Sequence, residues 1–132
     1  MPSKTTVKKA RQLEREGKAP TTQAGPFVEE EIEHIRHGKH GARSTKQAIA
    51  IGLSKARAAG VDLKPPKRGT VKESTRKSAE SAYERGHSGA KKKPSAKRAK
   101  AATRALKREP RKAASKKALS TQAKRAAKKR AT

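Results

Sequence analysis

The sequence predicts a mostly α protein, in which a small helical hairpin is joined to a basic, Lys/Ala-rich tail that is part helical and part disordered. Three observations predict it. Apolar residues recur at helical spacing where they cluster, glycines follow those clusters, and charge rises steeply where large apolar residues run out. Of 132 residues, 37 are Lys or Arg and 11 are Asp or Glu, a formal net charge of +26. Residues 1–64 hold 13 basic and 7 acidic residues, a net +6, whereas residues 65–132 hold 24 and 4, a net +20. Only sixteen residues are Val, Ile, Leu, Met, Phe or Tyr, and nine of these lie between Phe27 and Leu63. That count excludes an enzyme built on a large core, and no apolar run is long enough to span a bilayer. The chain has no cysteine, which removes disulfides, thiolate metal sites and cysteine nucleophiles together.

Composition divides the chain into an N-terminal arm (1–25), a helical hairpin module (26–64) and a basic tail (65–132). In the arm, Val7, Ala10 and Leu13 have helical spacing and Gly17 is the expected stop; residues 18–25 read as a loop. The module opens at Pro26, which suits a first helical position, and Val28, Ile32 and Ile35 then fall on one face. Glu29, Glu30 and Glu31 would crowd that helix's first turn, at the positive end of its dipole, and Gly38 would end it. After the basic loop GKHGAR, Ser44 and Gln47 have capping-box spacing. The second helix runs to Gly60, with Val61 placed for a Schellman contact. Ala48, Gly52 and Ala56 repeat every four residues, which lets a partner helix approach closely. So small a core is marginal alone, and homodimerisation through residues 27–63 or packing of the flanking helices would support it.

Pro65-Pro66 separates module from tail. Within the tail, residues 70–85, 95–109 and 111–130 are helix-compatible, with Ala79, Ala82 and Tyr83 forming a thin apolar stripe before Gly86. Alanine and lysine favour helix, but like charges one turn apart oppose it, so the expectation is a tail that firms up only when phosphates neutralise it.

At KHGARSTKQAIAIGLSKARAAG the chain resembles a widespread family of small basic bacterial and phage proteins whose members are labelled DNA-binding or plasmid-stabilisation proteins. The likeness extends back through PFVEEEIEHIRHGKHG and forward through STRKSAESAYERG, ALKREP and AASKKALSTQAKRAA, and its most specific part is KQAIAIGLSKAR. It implies a bacterial cytoplasmic or nucleoid location. It supplies no catalytic or ligand residues.

A charge this far from zero favours a polyanionic partner. The strongest signal is the tail. KKKPSAKRAK contributes Lys91, Lys92, Lys93, Lys97, Arg98 and Lys100, and RALKREPRK contributes Arg104, Lys107, Arg108, Arg111 and Lys112. Lys116 and Lys117 follow, and KRAAKKR adds Lys124, Arg125, Lys128, Lys129 and Arg130. With Lys46, Lys67 and Arg68, these are the expected phosphate contacts. The bland alternative is a solvated, self-repelling tail. No base-reading helix stands out, so phosphate contacts should dominate and sequence preference should be weak. Phe27 and Tyr83 are the only rings outside histidine, too few for a single-strand stacking platform, which favours duplex DNA. An RNA- or ribosome-associated accessory role and a protein adaptor using residues 27–63 are the alternatives.

Other motifs have structural readings that outweigh the functional ones. The connection from Arg36 to Ser44 is longer than a helix-turn-helix turn, although Lys46, Lys55 and Arg57 would be placed to face DNA. Pro66-Lys67-Arg68-Gly69 resembles a minor-groove hook but reads more simply as a linker. His34, His37 and His40, with Glu30 and Glu33 nearby, read as an exposed polar face rather than a metal site. No phosphate loop, nucleophile elbow or carboxylate pair supports catalysis, and no cofactor is implied. No secretion h-region opens the chain.

Overall fold

The computed structural model describes residues 3–87 and 96–131. They form six α-helices: α1 (Lys4–Arg15), α2 (Pro20–Arg36), α3 (Thr45–Ala58), α4 (Glu73–His87), α5 (Ala96–Arg108) and α6 (Lys116–Ala131). A single 3-10 turn, Lys112–Ala114, precedes α6. The described residues contain no strand beyond an isolated bridge between Arg68 and Val71. Among them, no helix is long and apolar enough to cross a membrane. The chain divides into two compact units: Met1–Glu30 with Ile51–Lys93, and Glu31–Ala50 with Pro94–Thr132. Arm, module and tail all contribute to the first unit, and module and tail to the second.

Local chemistry sets several helix ends. Ser3 caps α1 by accepting the Thr6 N–H at 3.2 Å, while its own N–H donates to the Glu30 carboxylate at 3.0 Å. At the C-termini of α1, α2 and α3, Gly17, Gly38 and Gly60 have positive φ, as the Schellman geometry requires. At the third of these ends the Val61 N–H donates back to the Ala56 carbonyl at 3.0 Å. Ser44 accepts the Gln47 N–H at 3.2 Å, and the Gln47 side chain accepts from the Arg43 N–H at 2.6 Å, one residue short of the reciprocal capping-box bond.

In the first unit, Ala10, Ala24, Phe27, Ala56 and Val61 form the core, with Val7, Leu53 and Leu63 packed against it. Residues 20–25 are not the expected loop. Helix α2 begins at Pro20 and continues through Pro26. An interior proline costs a helix about 3 kcal/mol, yet the continuous helix presents both Ala24 and Phe27 to the core, where they are fully buried. The Gln23 amide also donates to the Lys18 carbonyl at 2.8 Å, tying down the helix entry. Glu29, Glu30 and Glu31 consequently sit in mid-helix, not in a first turn.

Helices α2 and α3 meet backbone to backbone at Gly52. A Cβ there would lie 2.6 Å from the Val28 Cα, so the small-residue repeat does permit close approach. Arg57 is buried within the first unit rather than facing outward. Its guanidinium donates to the Leu63 carbonyl at 2.9 Å and the Lys64 carbonyl at 3.4 Å, and burial pulls its pKa below the usual arginine range.

A disordered tail is not supported. Helix α4 runs through Gly86, buries Ala79 and Ala82, and sends the Tyr83 hydroxyl to the Asp62 carboxylate. Helix α6 extends for 16 residues, with the Ala118 N–H donated to Ser115 at 3.1 Å at its start. Each like-charge pair one turn apart costs only a few tenths of a kcal/mol, while the alanines and lysines are strong helix formers. Alanines that contribute little transfer energy are nonetheless buried at Ala113 and Ala114.

Two expectations follow. Gly52→Ala should lower stability by about 1–3 kcal/mol in urea denaturation, because the helices must separate. Gly25→Ala should bring none of the usual gain from replacing a helical glycine, because the ring of Pro26 crowds a Cβ on the helical residue before it. Separately, the hydrogen bond to Asp62 holds the single tyrosine, Tyr83, above the usual phenol range. A raised folded-state pKa gives stability that is complete below the unfolded value of about 10 and lost as pH rises through the folded one. Absorbance titration of the phenolate should place its midpoint above about 10, and Asp62→Ala should bring it down.

Candidate nucleic-acid interface

The second unit is assembled by hydrogen bonds between residues 35–45 and residues 106–114. The Gly41 N–H donates to the Leu106 carbonyl at 2.7 Å and the Ala42 N–H to the Pro110 carbonyl at 3.0 Å. Thr45 Oγ1 donates to the Ala113 carbonyl at 2.6 Å, and Arg36 Nε to the Ala114 carbonyl at 3.0 Å. Arg111 donates in the other direction, from Nε to the Ile35 carbonyl at 3.2 Å and from its terminal nitrogen to the Arg36 carbonyl. Only glycine fits at position 41, since a Cβ would lie 1.8 Å from the Glu109 carbonyl oxygen.

This clamp brings the start of α3 and the start of α6 to one groove of about 630 Å³. Arg43, Ser44, Thr45 and Lys46 line it from the α3 end. Lys112, Ser115, Lys117, Thr121, Gln122 and Arg125 line it from the other. Five of its lining residues are cations and none is a carboxylate. The positive dipole ends of helices 14 and 16 residues long add to that potential. Mutual repulsion among five neighbouring cations is relieved when an anion enters, and the Ser, Thr and Gln side chains offer neutral donors to phosphate oxygens.

The structure thus unites Lys46 with Lys112, Lys117 and Arg125, which are remote from it in sequence. Arg43 belongs with them and was missed; its signal was a basic residue immediately before a helix cap. Lys116, Lys124, Lys128, Lys129 and Arg130 are exposed on α6, and Lys97, Arg98, Lys100, Arg104, Lys107 and Arg108 on α5. Lys67 and Arg68 are exposed in the first unit, where Thr70 N–H donates to the Lys67 carbonyl at 3.2 Å to close a turn. Lys91, Lys92 and Lys93 lie outside the described residues. Arg111 has a structural partner set at the end of α2, as given above.

A second cationic surface was also missed. Lys4, Lys8, Arg11 and Arg15 line a shallow groove of about 410 Å³ along α1. Their spacing of four, three and four residues is itself a helical-face signal, carried by charge rather than by apolar periodicity. The two rings are unsuited to base stacking: Phe27 is buried, and Tyr83 is bonded to Asp62 and stacked on His87 with centroids 4.0 Å apart.

Comparison of the chain with family models, with curated proteins and with solved structures gives no match. The site therefore rests on its own geometry. Thr45→Val keeps the side-chain shape but leaves the buried Ala113 carbonyl without its hydroxyl donor. Urea denaturation should register a loss of about 1–3 kcal/mol.

Proposed function

We propose that the chain is a non-enzymatic, largely sequence-nonspecific nucleic-acid-binding protein of the histone-like, nucleoid-associated kind, with duplex DNA as its partner. The observation that carries this reading is the groove in which Arg43, Lys46, Lys112, Lys117 and Arg125 meet without a carboxylate. Exposed cations along α5 and α6 extend the same chemistry, and phosphates are the ligands that such point charges and guanidinium forks fit. The resemblance carried by KQAIAIGLSKAR points the same way, as does the bacterial cytoplasmic, nucleoid location it implies. The paucity of rings favours a duplex over a single strand.

The adaptor reading and the homodimer through residues 27–63 have less support. Val71 is the only large apolar side chain exposed among the described residues, and Phe27, Ile32, Ile35 and Val61 of the module are buried, which leaves less apolar surface for a protein partner. A structured RNA offers the same phosphates, and competition against duplex DNA at equal phosphate concentration separates the two partners.

Titration of binding against salt is the direct test. The log–log slope should be steep, about −0.9 per neutralised phosphate, and nearly independent of DNA sequence. The triple variant Lys46→Ala, Lys117→Ala, Arg125→Ala should weaken binding and make the slope shallower by about 2–3. A wild-type affinity indifferent to salt would refute the reading.

A further inference from the structure

We propose that Glu31, His34 and His40 form a binding site for a divalent transition metal of the Zn²⁺ class. One ligand atom from each residue can be chosen so that all lie within 4.8 Å of one another. Glu31 projects from the middle of α2 and is completely buried. His34 follows one turn later, and His40 stands two residues beyond the glycine that ends the helix. The Glu31 carboxylate uses both oxygens: Oε1 lies 3.4 Å from His34 Nδ1, and Oε2 lies 3.1 Å from His40 Nε2. Two donors on one tetrahedral ion, with metal–ligand bonds of about 2.0–2.1 Å, sit about 3.3 Å apart. Each histidine nitrogen thus lies from a Glu31 oxygen at about the separation of two ligands on one ion, and the three ligand atoms are close enough together to close on a shared ion.

The tautomer of His40 strengthens the assignment. His40 Nδ1 lies 2.9 Å from the Gly41 carbonyl oxygen, which can only accept, so Nδ1 carries the proton. Nε2 is then the ring atom directed at the Glu31 carboxylate. A ring N–H donated to a backbone carbonyl is also the usual support of a metal-binding histidine. The two imidazoles lie nearly perpendicular, at 77° with centroids 6.2 Å apart, so both can address one ion without stacking. Two imidazoles and a carboxylate suit Zn²⁺, with a fourth position left for water on the partly exposed side of the histidines.

The sequence reads His34, His37 and His40, with Glu30 and Glu33, as an exposed polar face; in the structure Glu31 is buried and His34 and His40 are half-buried. His37 is exposed and reaches only Glu33, at 3.8 Å, and Glu33 also pairs with Arg36 at 3.2 Å. Glu30 accepts the Ser3 N–H. The burial of Glu31 and the turn after Gly38 select the actual set. A bound ion would join α2 to the loop whose Gly41 and Ala42 hold residues 106 and 110, and so reinforce the second unit without entering the cationic groove.

The test uses the full chain stripped with chelator and titrated with zinc chloride, then separately with cobalt(II) chloride. Calorimetry should show one Zn²⁺ per chain, and Co²⁺ should give the intense visible absorption of a tetrahedral site. His40→Gln and His34→Gln should each weaken Zn²⁺ binding by at least about 10–100-fold, the loss seen even for supporting groups around a metal. His37→Gln should leave it unchanged. If Glu31→Gln fails to fold, the two histidine variants still decide. Stoichiometry well below one, a pale octahedral Co²⁺ spectrum, or equal weakening by His37→Gln would overturn the proposal and leave Glu31 and His40 as a hydrogen-bonded pair.

Discussion

Close backbone approach at small residues is the constraint on which this structure depends. A chain with sixteen large apolar residues and a net charge of +26 cannot hold itself together by side-chain burial of the ordinary kind. It compensates by bringing main chains into direct contact. Gly52 meets Val28, and Gly86 meets the Arg57 carbonyl, inside the first unit; Gly41 meets Glu109 inside the second. Where backbones come this close, dispersion contacts and main-chain hydrogen bonds replace the missing transfer energy. The alanines buried beside these contacts, among them Ala56, Ala82 and Ala113, fill space that a larger side chain would force open.

The same economy shapes the electrostatics. Hydrogen bonds from residues 36–45 to residues 106–114 hold a basic segment in place through carbonyl oxygens rather than through carboxylates. Cations are thereby positioned without being neutralised. Arg57 and Arg111 show the complementary use of guanidinium, each satisfying carbonyls at a turn or helix end. Acidic residues are mostly employed elsewhere: Glu30 on the cap of α1, Glu31 among histidines, and Asp62 on Tyr83. The excess charge is then left on the groove and on the faces of α5 and α6.

Helix ends were the most legible feature of the sequence. Gly17, Gly38 and Gly60, and the cap at Ser44, act through neighbours a few residues away, so their chemistry is visible in a short window. The start of α2 was not legible, because Pro20 and Pro26 are locally equivalent openings and only the core position of Ala24 and Phe27 chooses between them. The order of the tail is hidden from the sequence for a related reason. Local charge repulsion can be read from spacing, but the partners that outweigh it, such as the Gly41 N–H for the Leu106 carbonyl, are remote in sequence.

The candidate site divides along the same line. Composition by itself determined that the chain is helical, poor in core and strongly cationic, since propensity and net charge are sums over residues. Which cations form one groove, and which histidines share one carboxylate, was decided by tertiary structure alone. Lys46 meets Arg125, and His40 meets Glu31, only after the chain turns back on itself, because electrostatic and coordinate-bond energies depend on distance in space.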